Sequence, residues 1–375
     1  MRSAGLELVD CKKVREAGSF SLSLSRLKAR VKTRDLIAMF MQLEQMVGAG
    51  VPLLDALSDA RDTSDNPRMR DILSDVSREV SEGTALSAAF SRFPDVFPSL
   101  YIAMMKAGEN TGDLVYSFQQ LIKYLKWYDE LQIKVKKATR YPIILLTVIL
   151  AVMIVMMGHV VPQIVEFISK MDQELPWYTV ALINTSDFFR DYWLFVAVAP
   201  VAAIVCYKGM RKIVPGFGLA ADRLWLKMPL FGEIIRKINI ARYCQTFGVM
   251  FSGGIDILNC LRYAQGTVGN LALHTALNSV EQLVQTGKPL SAAFNETGEF
   301  PSLVVRMIRI GEESGNLKPV LDQVTDFYSR DVDEAVGGFV TMIEPTLTAI
   351  MGLMITWIAA GVFGPIYSSF ENLDF

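Results

Sequence analysis

Two halves of the chain carry the same sequence pattern, displaced by 203 or 204 residues. Residues 82–90 read EGTALSAAF, and residues 286–294 read TGKPLSAAF. Residues 97–114 read FPSLYIAMMKAGENTGDL, and residues 300–317 read FPSLVVRMIRIGEESGNL. Fifteen of these 27 positions are identical, which is far above the agreement that average composition gives by chance. The pattern predicts one structural unit that is used twice.

The repeat extends beyond these strings in both directions. Residues 48–57, GAGVPLLDAL, align with residues 252–261, SGGIDILNCL, and Pro142 aligns with Pro345. Each of the two prolines stands just before a long apolar run. The apolar run therefore belongs to the repeat, and the chain is a tandem duplication.

The two apolar runs are long enough to cross a membrane. Residues 143–161 and residues 346–366 contain no Asp, Glu, Lys or Arg. At about 1.5 Å of rise per residue, a helix of either length spans a hydrocarbon core of about 30 Å. We expect transmembrane helices over 141–162 and 344–367.

A third apolar run, 192–207, is shorter and contains Pro200. By length alone it could be a buried core helix. Tyr192, Trp193 and Tyr207 lie at its ends, as aromatic residues do at membrane interfaces, and proline is tolerated in membrane helices. These flanks favour a second transmembrane helix over 192–207.

The lysine and arginine distribution predicts the orientation. Residues 123–140 carry six basic residues and residues 208–212 carry three, whereas residues 162–191 carry two against five acids. Basic flanks mark the cytoplasmic side, so the N-terminus is expected inside and the C-terminus outside. The predicted order is a short N-terminal segment without a signal peptide (1–31), a first cytoplasmic helical bundle (32–140), transmembrane helix 1 (141–162), an outer loop (163–191), transmembrane helix 2 (192–207), a linker (208–239), a second cytoplasmic helical bundle (240–343), transmembrane helix 3 (344–367) and an outer tail (368–375).

The cytoplasmic parts show helical periodicity without alternating strand patterns, so the predicted fold class is all-α. Apolar residues from Leu36 to Val47 recur at spacings of three and four and stop at Gly48. Asn66 and Pro67 are typical of the start of a third helix, and Pro98 of a fifth. A long sixth helix runs towards the apolar segment. We predict two homologous six-helix bundles and three transmembrane helices.

Glycines and prolines at matching positions mark the repeated turns. Gly83 and Gly287 are expected to end the third helix of each copy, and Pro142 and Pro345 open the apolar segments. The sharpest motif is Gly-Glu-x-x-Gly, with Gly108, Glu109 and Gly112 in the first copy and Gly311, Glu312 and Gly315 in the second.

Two compatible interpretations of this motif remain open. In one, glycine ends the fifth helix in a left-handed cap, and Glu near the start of the sixth helix meets the positive end of its dipole. In the other, exposed carboxylates also contact a partner. Four residues are then candidates for partner binding: Glu109, Asp113, Glu312 and Glu313.

The residues for catalysis are missing from the sequence. His159 and His274 are the only histidines, and Gly287-Lys288 is followed by Pro289, so no phosphate-binding loop of the Walker type is present. A membrane peptidase or a small transporter would require charged residues within the apolar runs, which have none. We expect no enzyme activity, cofactor or metal site. A net charge of −2 gives no reason to expect nucleic-acid binding.

From Lys32 to Tyr367 the chain resembles the type II secretion system F protein and the PilC family of type IV pilus platform proteins. The similarity lies in GAGVPLLDAL, the EGxxLSxAF and FPxL strings, both Gly-Glu-x-x-Gly elements, and the linker LKMPLFGEIIRKINIARY. Members of the family have a longer N-terminal segment, so contacts made by that segment are not implied here.

The resemblance implies a multi-pass scaffold in the bacterial inner membrane, with its N-terminus in the cytoplasm and its C-terminus in the periplasm. Its cytoplasmic bundles are expected to engage a hexameric assembly or secretion ATPase. Its membrane helices are expected to help pilin or pseudopilin subunits leave the lipid and enter a growing filament. Other inner-membrane assembly proteins, membrane lipid and further copies of the chain are the remaining implied partners.

Overall fold

The computed structural model describes residues 30–163, 166, 177–214, 216–229 and 231–371. These residues form helices and contain no strands, so the all-α prediction is confirmed. They divide into two compact units, Met1–Leu125 and Lys126–Phe375. Most of the predicted N-terminal segment and the end of the predicted outer tail lie outside the described residues.

The first unit holds one copy of the repeat. Its helices are α1 (Thr33–Gly48), α2 (Leu53–Thr63), α3 (Pro67–Ser81), α4 (Leu86–Ser91), α5 (Ser99–Thr111) and the first part of α6 (Leu114–Val155).

Local signals in the sequence determine several of these helix ends. The Asn66 side chain accepts hydrogen bonds from the backbone N–H groups of Arg68 and Met69, so it caps α3 as expected. Pro67 then occupies the first helical position, where its missing N–H is not needed. These boundaries match the sequence prediction because each depends on neighbouring residues alone.

Aromatic rings form the centre of the first unit. Phe90 and Phe97 lie with their ring centroids 4.5 Å apart, and the Phe40 ring is 6.4 Å from Phe97 and 5.8 Å from Phe118. All four side chains are fully buried. Burial of one phenylalanine contributes about 2 kcal/mol, so this cluster holds α1, α4 and α6 together.

The second unit begins within α6. It continues through a π-helical turn (Met156–Val160) and then α7 (Trp177–Ile213), α8 (Phe217–Lys227), α9 (Phe231–Ser252), α10 (Ile257–Gln265), α11 (Leu271–Gln285), α12 (Leu290–Thr297), α13 (Ser302–Glu313) and α14 (Leu317–Glu371). Helices α9 to α14 repeat the order of α1 to α6, and the Phe294 and Phe300 rings meet 4.8 Å apart, as Phe90 and Phe97 do in the first copy.

Helix α8 has no counterpart among the described helices of the first unit. It lies within the predicted linker and contacts α11. The aligned faces of α3 and α11 differ accordingly. Arg68 in α3 corresponds to Ala272 in α11, which is buried, and Asp71 and Asp75 correspond to Thr275 and Ser279. The second copy therefore carries fewer charges on the face that α8 contacts.

In the part of the chain that the structure describes, two helices are long and apolar enough to cross a membrane, Leu114–Gln163 and Leu317–Gly361. They contain the two apolar runs of the repeat, and Pro142 lies inside α6. Most side chains of their apolar parts are not buried in the protein. Helix α7, which contains the third apolar run, has a non-helical residue at Tyr192.

Helix α7 begins within the stretch predicted as an outer loop, and its first half is packed. Leu182 lies in a buried cluster with Met157 and Val161 at the end of the first apolar helix, and with Met354 and Ile358 of α14. The Thr179 hydroxyl donates to the carbonyl oxygen of Gly361 at 3.0 Å. Both apolar helices are therefore fastened to α7 at one end.

Helices α6 and α14 also meet through polar side chains. The Lys134 ammonium forms an ion pair with Asp333 at 2.7 Å. The Trp127 indole N–H donates to the Ser329 hydroxyl at 3.2 Å. The two equivalent helices of the duplication are thus connected just before their apolar segments begin.

Candidate functional site at the Gly-Glu-x-x-Gly turns

The structure places Glu109 in the last turn of α5, and not near the start of the following helix as one interpretation expected. Its carboxylate turns towards α4. The backbone N–H of Ser87 donates to Glu109 Oε1 at 3.1 Å, and the Ser87 hydroxyl donates to Oε2. Glu109 therefore meets the positive end of a helix dipole, but the helix is α4.

Glu312 makes the same contacts in the second copy. Its carboxylate accepts hydrogen bonds from the backbone N–H groups of Leu290, at 2.5 Å, and Ser291, at 3.0 Å, and from the Ser291 hydroxyl at 2.7 Å. Burial acts to raise the pKa of Glu312, but these hydrogen bonds outweigh it and lower the pKa below its ordinary value. The carboxylate is held in its charged form.

Helices α4 and α12 need such a partner because they lack a capping side chain of their own. Ala85 and Pro289 stand at their N-cap positions, and neither side chain can accept a hydrogen bond. The first N–H groups of each helix would otherwise be unsatisfied. The glutamate in the last turn of the next helix supplies the missing acceptor. This capping role was not predicted from the sequence. A signal was available, because Ser87 and Ser291 occupy equivalent positions of the repeat, as Glu109 and Glu312 do.

The glycines of the motif have two different roles. Gly112 and Gly315 have φ angles of +77° and +68° and end the fifth helix of each copy, so the expected left-handed glycine is the second of the motif. Gly108 lies inside α5, where an added Cβ would come within 2.7 Å of the Ser117 Cβ. Gly311 likewise faces Leu317 closely. The first glycine therefore permits close packing against the next helix.

We expect Gly112→Val to destabilise the first unit by about 1 kcal/mol or more, because a β-branched residue is strained in the left-handed conformation. The space around a Cβ at this position is open, so the cost comes from the backbone alone. Pulse proteolysis in a urea series measures the change. Gly112→Asn is the matched variant and should cost less, since asparagine tolerates this conformation. Equal stability of the valine variant and the parent protein would contradict the expectation.

The structure also locates the remaining glycines and the other two candidate carboxylates, at helix ends and on the surface. Gly83 and Gly287 follow α3 and α11 with φ angles of +93° and +87°. Asp113 is exposed, and its Oδ1 accepts from the Tyr116 N–H at 2.9 Å at the start of α6. Glu313 is exposed on the last turn of α13. Of the four carboxylates singled out, Asp113 and Glu313 face solvent, whereas Glu109 and Glu312 bind their own chain.

The buried acid of α8 was not expected from the sequence. Asp222 of α8 is nearly inaccessible, and its Oδ2 accepts from Arg211 and from the backbone N–H of Leu271, each at 2.8 Å. The neighbouring Asn270 side chain donates to the Asp222 carbonyl oxygen at 3.2 Å and caps α11. Asp222 thus joins the end of α7 to the start of α11. Of these residues, only Asn270 could have been recognised from the sequence, because it aligns with Asn66, the N-cap residue of α3.

The two histidines lie beside glutamine side chains, and two of the cysteines are buried. His159 lies 3.3 Å from the Gln163 amide, and His274 lies 3.4 Å from the Gln265 amide. Cys244 and Cys260 are buried, and burial raises the pKa of each thiol to about 12. Within the described ranges, no group of His, Cys, Asp and Glu has the arrangement of a metal site.

Comparison with known proteins gives one consistent result. A family model described as type II secretion system (T2SS), protein F matches residues 39–162 and 243–365, one copy of the repeat each. The type IV pilus assembly protein PilC of Pseudomonas aeruginosa is 33% identical, over 95% of this chain and 94% of that protein. PilC of Thermus thermophilus is 32% identical, over 100% and 92%. The type II secretion system protein F of Xanthomonas campestris is 30% identical, over 94% and 87%.

Proposed function

Because the chain belongs to the family of type II secretion system protein F, we propose that it works as an inner-membrane platform protein of a type IV pilus or type II secretion machine. The match of both copies of the repeat to the family, over nearly the full length of the relatives, is the observation that carries this proposal. The finer features below are argued from the described residues.

Three membrane-spanning helices fit the chain best. The two long apolar helices support the first and third spans. The second span is the part of α7 over 192–207, which ends beside the basic residues Lys208, Arg211 and Lys212. The N-terminus and both helical bundles then lie in the cytoplasm, and the C-terminus lies in the periplasm.

Reporter fusions test this topology. A periplasm-active reporter should be active when it follows Lys170 or Phe375 and inactive when it follows Asn270, because the basic flanks keep the second bundle inside. A cytoplasm-active reporter at the same three positions is the control and should give the opposite pattern. Periplasmic activity at Asn270 would contradict the second span.

The scaffold can pass movement between cytoplasm and membrane because its two long helices are continuous. Helix α6 and helix α14 each run from the bundle into the apolar segment without a break at Pro142 or Pro345. The Lys134–Asp333 ion pair links the two helices just before those segments. A displacement of either bundle would therefore reach both membrane helices.

The force that displaces the bundles must come from a partner protein, and we assign that role to a cytoplasmic hexameric assembly ATPase. No phosphate-binding loop occurs in the sequence, and the apolar runs lack the charged residues that a peptidase or a transporter would need. Purified protein should therefore neither hydrolyse ATP nor cleave prepilin. Hydrolysis or cleavage would reject the scaffold in favour of an enzyme.

Asp113 and Glu313 are the exposed carboxylates from which we expect a contribution to ATPase binding. Asp113→Asn combined with Glu313→Gln, which removes two negative charges and keeps a side-chain acceptor at the start of α6, should weaken co-purification of the ATPase. Binding by the parent protein should weaken as salt rises. Glu82→Lys, an exposed change elsewhere on the first unit, is the charge-matched control. Normal co-purification and filament assembly by the double variant would place the interface elsewhere. Pilin or pseudopilin subunits, other inner-membrane proteins and further copies of the chain complete the proposed assembly.

A further inference from the structure

Helix α8 carries an apolar stripe that the protein covers only in part. The Phe217 ring meets the Tyr207 ring of α7 at 6.1 Å, whereas Leu224, Trp225 and Met228 are exposed. Phe217, Leu224, Trp225 and Met228 are spaced by seven, eight and eleven residues from the first, which places them on one side of the helix. Leu224 is 66% exposed, and Ile213 at the end of α7 is 80% exposed. The Trp225 and Phe231 rings meet at 6.3 Å, so the stripe continues into α9.

The side of α8 next to the stripe is fastened to the protein, so the helix cannot rotate to turn the stripe inward. Gly218 and Asp222 are buried there. Asp222 binds Arg211 and the N–H of Leu271, each at 2.8 Å. An added Cβ on Gly218 would lie 2.9 Å from a Leu271 methyl group. The stripe is therefore a fixed outward surface.

Basic residues surround the stripe. Residues 208–237 contain seven basic residues and two acids. Both acids are in ion pairs, Asp222 with Arg211 at 2.8 Å and Glu233 with Lys237 at 2.8 Å. Arg223 and Lys227, four residues apart on α8, are exposed beside Leu224. The surface combines apolar and aromatic side chains with an excess of positive charge.

We propose that α8 lies in the membrane–water interface of the cytoplasmic leaflet, with Leu224 and Trp225 among the acyl chains and Arg223 and Lys227 beside anionic lipid headgroups. This rests on the membrane location in the proposed function, since α8 begins four residues after α7, the helix that contains the second span. A fixed amphipathic helix with Trp, Phe and Leu on one side and Lys and Arg at its edge is typical of interfacial helices.

This placement gives α8 a specific role in the scaffold. The helix would hold the second bundle at the membrane surface through Asp222 and Asn270, independently of the spans. Lipid contact explains why large apolar side chains remain exposed on a helix whose other side is so well packed. A protein partner on the same stripe is the alternative that the experiment must separate.

A photo-reactive diazirine amino acid at position 224 of the full chain tests the proposal. The protein is placed in nanodiscs of phosphatidylglycerol and phosphatidylethanolamine and irradiated, and the adducts are identified by mass. We expect lipid adducts at position 224, as at Val152 in the first apolar run. Ile310, an exposed apolar residue of α13, is the matched control and should give none.

The outcomes separate this inference from the proposed function. Lipid adducts at Val152 with none at position 224 would overturn the interfacial placement and leave the membrane location intact. The absence of adducts at Val152 as well would count against the membrane location itself. Irradiation in cells that yields only protein adducts at position 224 would overturn the lipid assignment in favour of a partner protein.

The role of Arg223 and Lys227 is tested by removing their charges. Arg223→Gln combined with Lys227→Gln should lower the share of phosphatidylglycerol among the adducts at position 224 by about fivefold or more. Arg306→Gln combined with Arg309→Gln, two exposed changes on α13, should leave that share unchanged. An unchanged share in the first variant would overturn the role of anionic lipid.

Discussion

Glu312→Lys is expected to lower the free energy of unfolding of the second copy by roughly 3 kcal/mol. The change removes the acceptor for the N–H groups of Leu290 and Ser291 and places a positive charge at the positive end of α12. Both effects act on a partly buried helix start that has no cap of its own. The buried thiols of Cys244 and Cys260 report this unfolding directly, as labelling by a thiol reagent in a urea series.

Glu313→Lys is the matched control because it reverses a charge one residue further along the same helix, on an exposed side chain. It should change stability by less than about 0.5 kcal/mol. The dependence of stability on pH provides a second measurement of the same contact. Since the folded-state pKa of Glu312 is lowered, its contribution to stability is complete above the unfolded pKa and is lost as pH falls through the folded value. Equal urea midpoints for the two lysine variants would refute the capping role.

Asp222→Ala should destabilise the second unit by about 3 kcal/mol, at the lower end of the range for breaking a buried ion pair. The lower end applies because Arg211 is about one-third exposed and can partly regain water. The loss also leaves the Leu271 N–H without its acceptor at the start of α11. Thiol labelling of Cys260 in urea measures the effect.

Glu233→Ala is the control for this prediction. Glu233 pairs with Lys237 at 2.8 Å, but its side chain is 69% exposed, so the pair should contribute less than about 1 kcal/mol. A comparable loss in the two variants would mean that the number of charge pairs matters and that burial of Asp222 does not.

The sequence was sufficient wherever a helix end depends on its own neighbours. The end of α1 at Gly48 and the start of α3 at Pro67 were predicted correctly, since capping and proline effects act within a few residues. The duplication was equally readable, because it is a property of the sequence itself. The family matches on both copies confirm it.

The role of Glu109 could not be predicted in the same way. Its partner Ser87 lies 22 residues earlier, and the contact exists only once α4 and α5 have packed together. Local reasoning identified the right physical effect, a carboxylate at a helix N-terminus, and assigned it to the nearest helix in sequence. Asp222 and Leu271 are 49 residues apart, so their contact was beyond any local rule.

Helix α8 shows what covalent fusion of two copies allows. Two separate identical chains would have to keep one sequence compatible with both environments, so neither could accept a change that suits one site alone. In the single chain, Arg68 stands in one copy and the buried Ala272 stands at the equivalent position of the other, beside α8. The link also sets the ratio of the two copies at one to one. The presence of both copies in one chain therefore allows each copy to carry residues that suit its own surroundings.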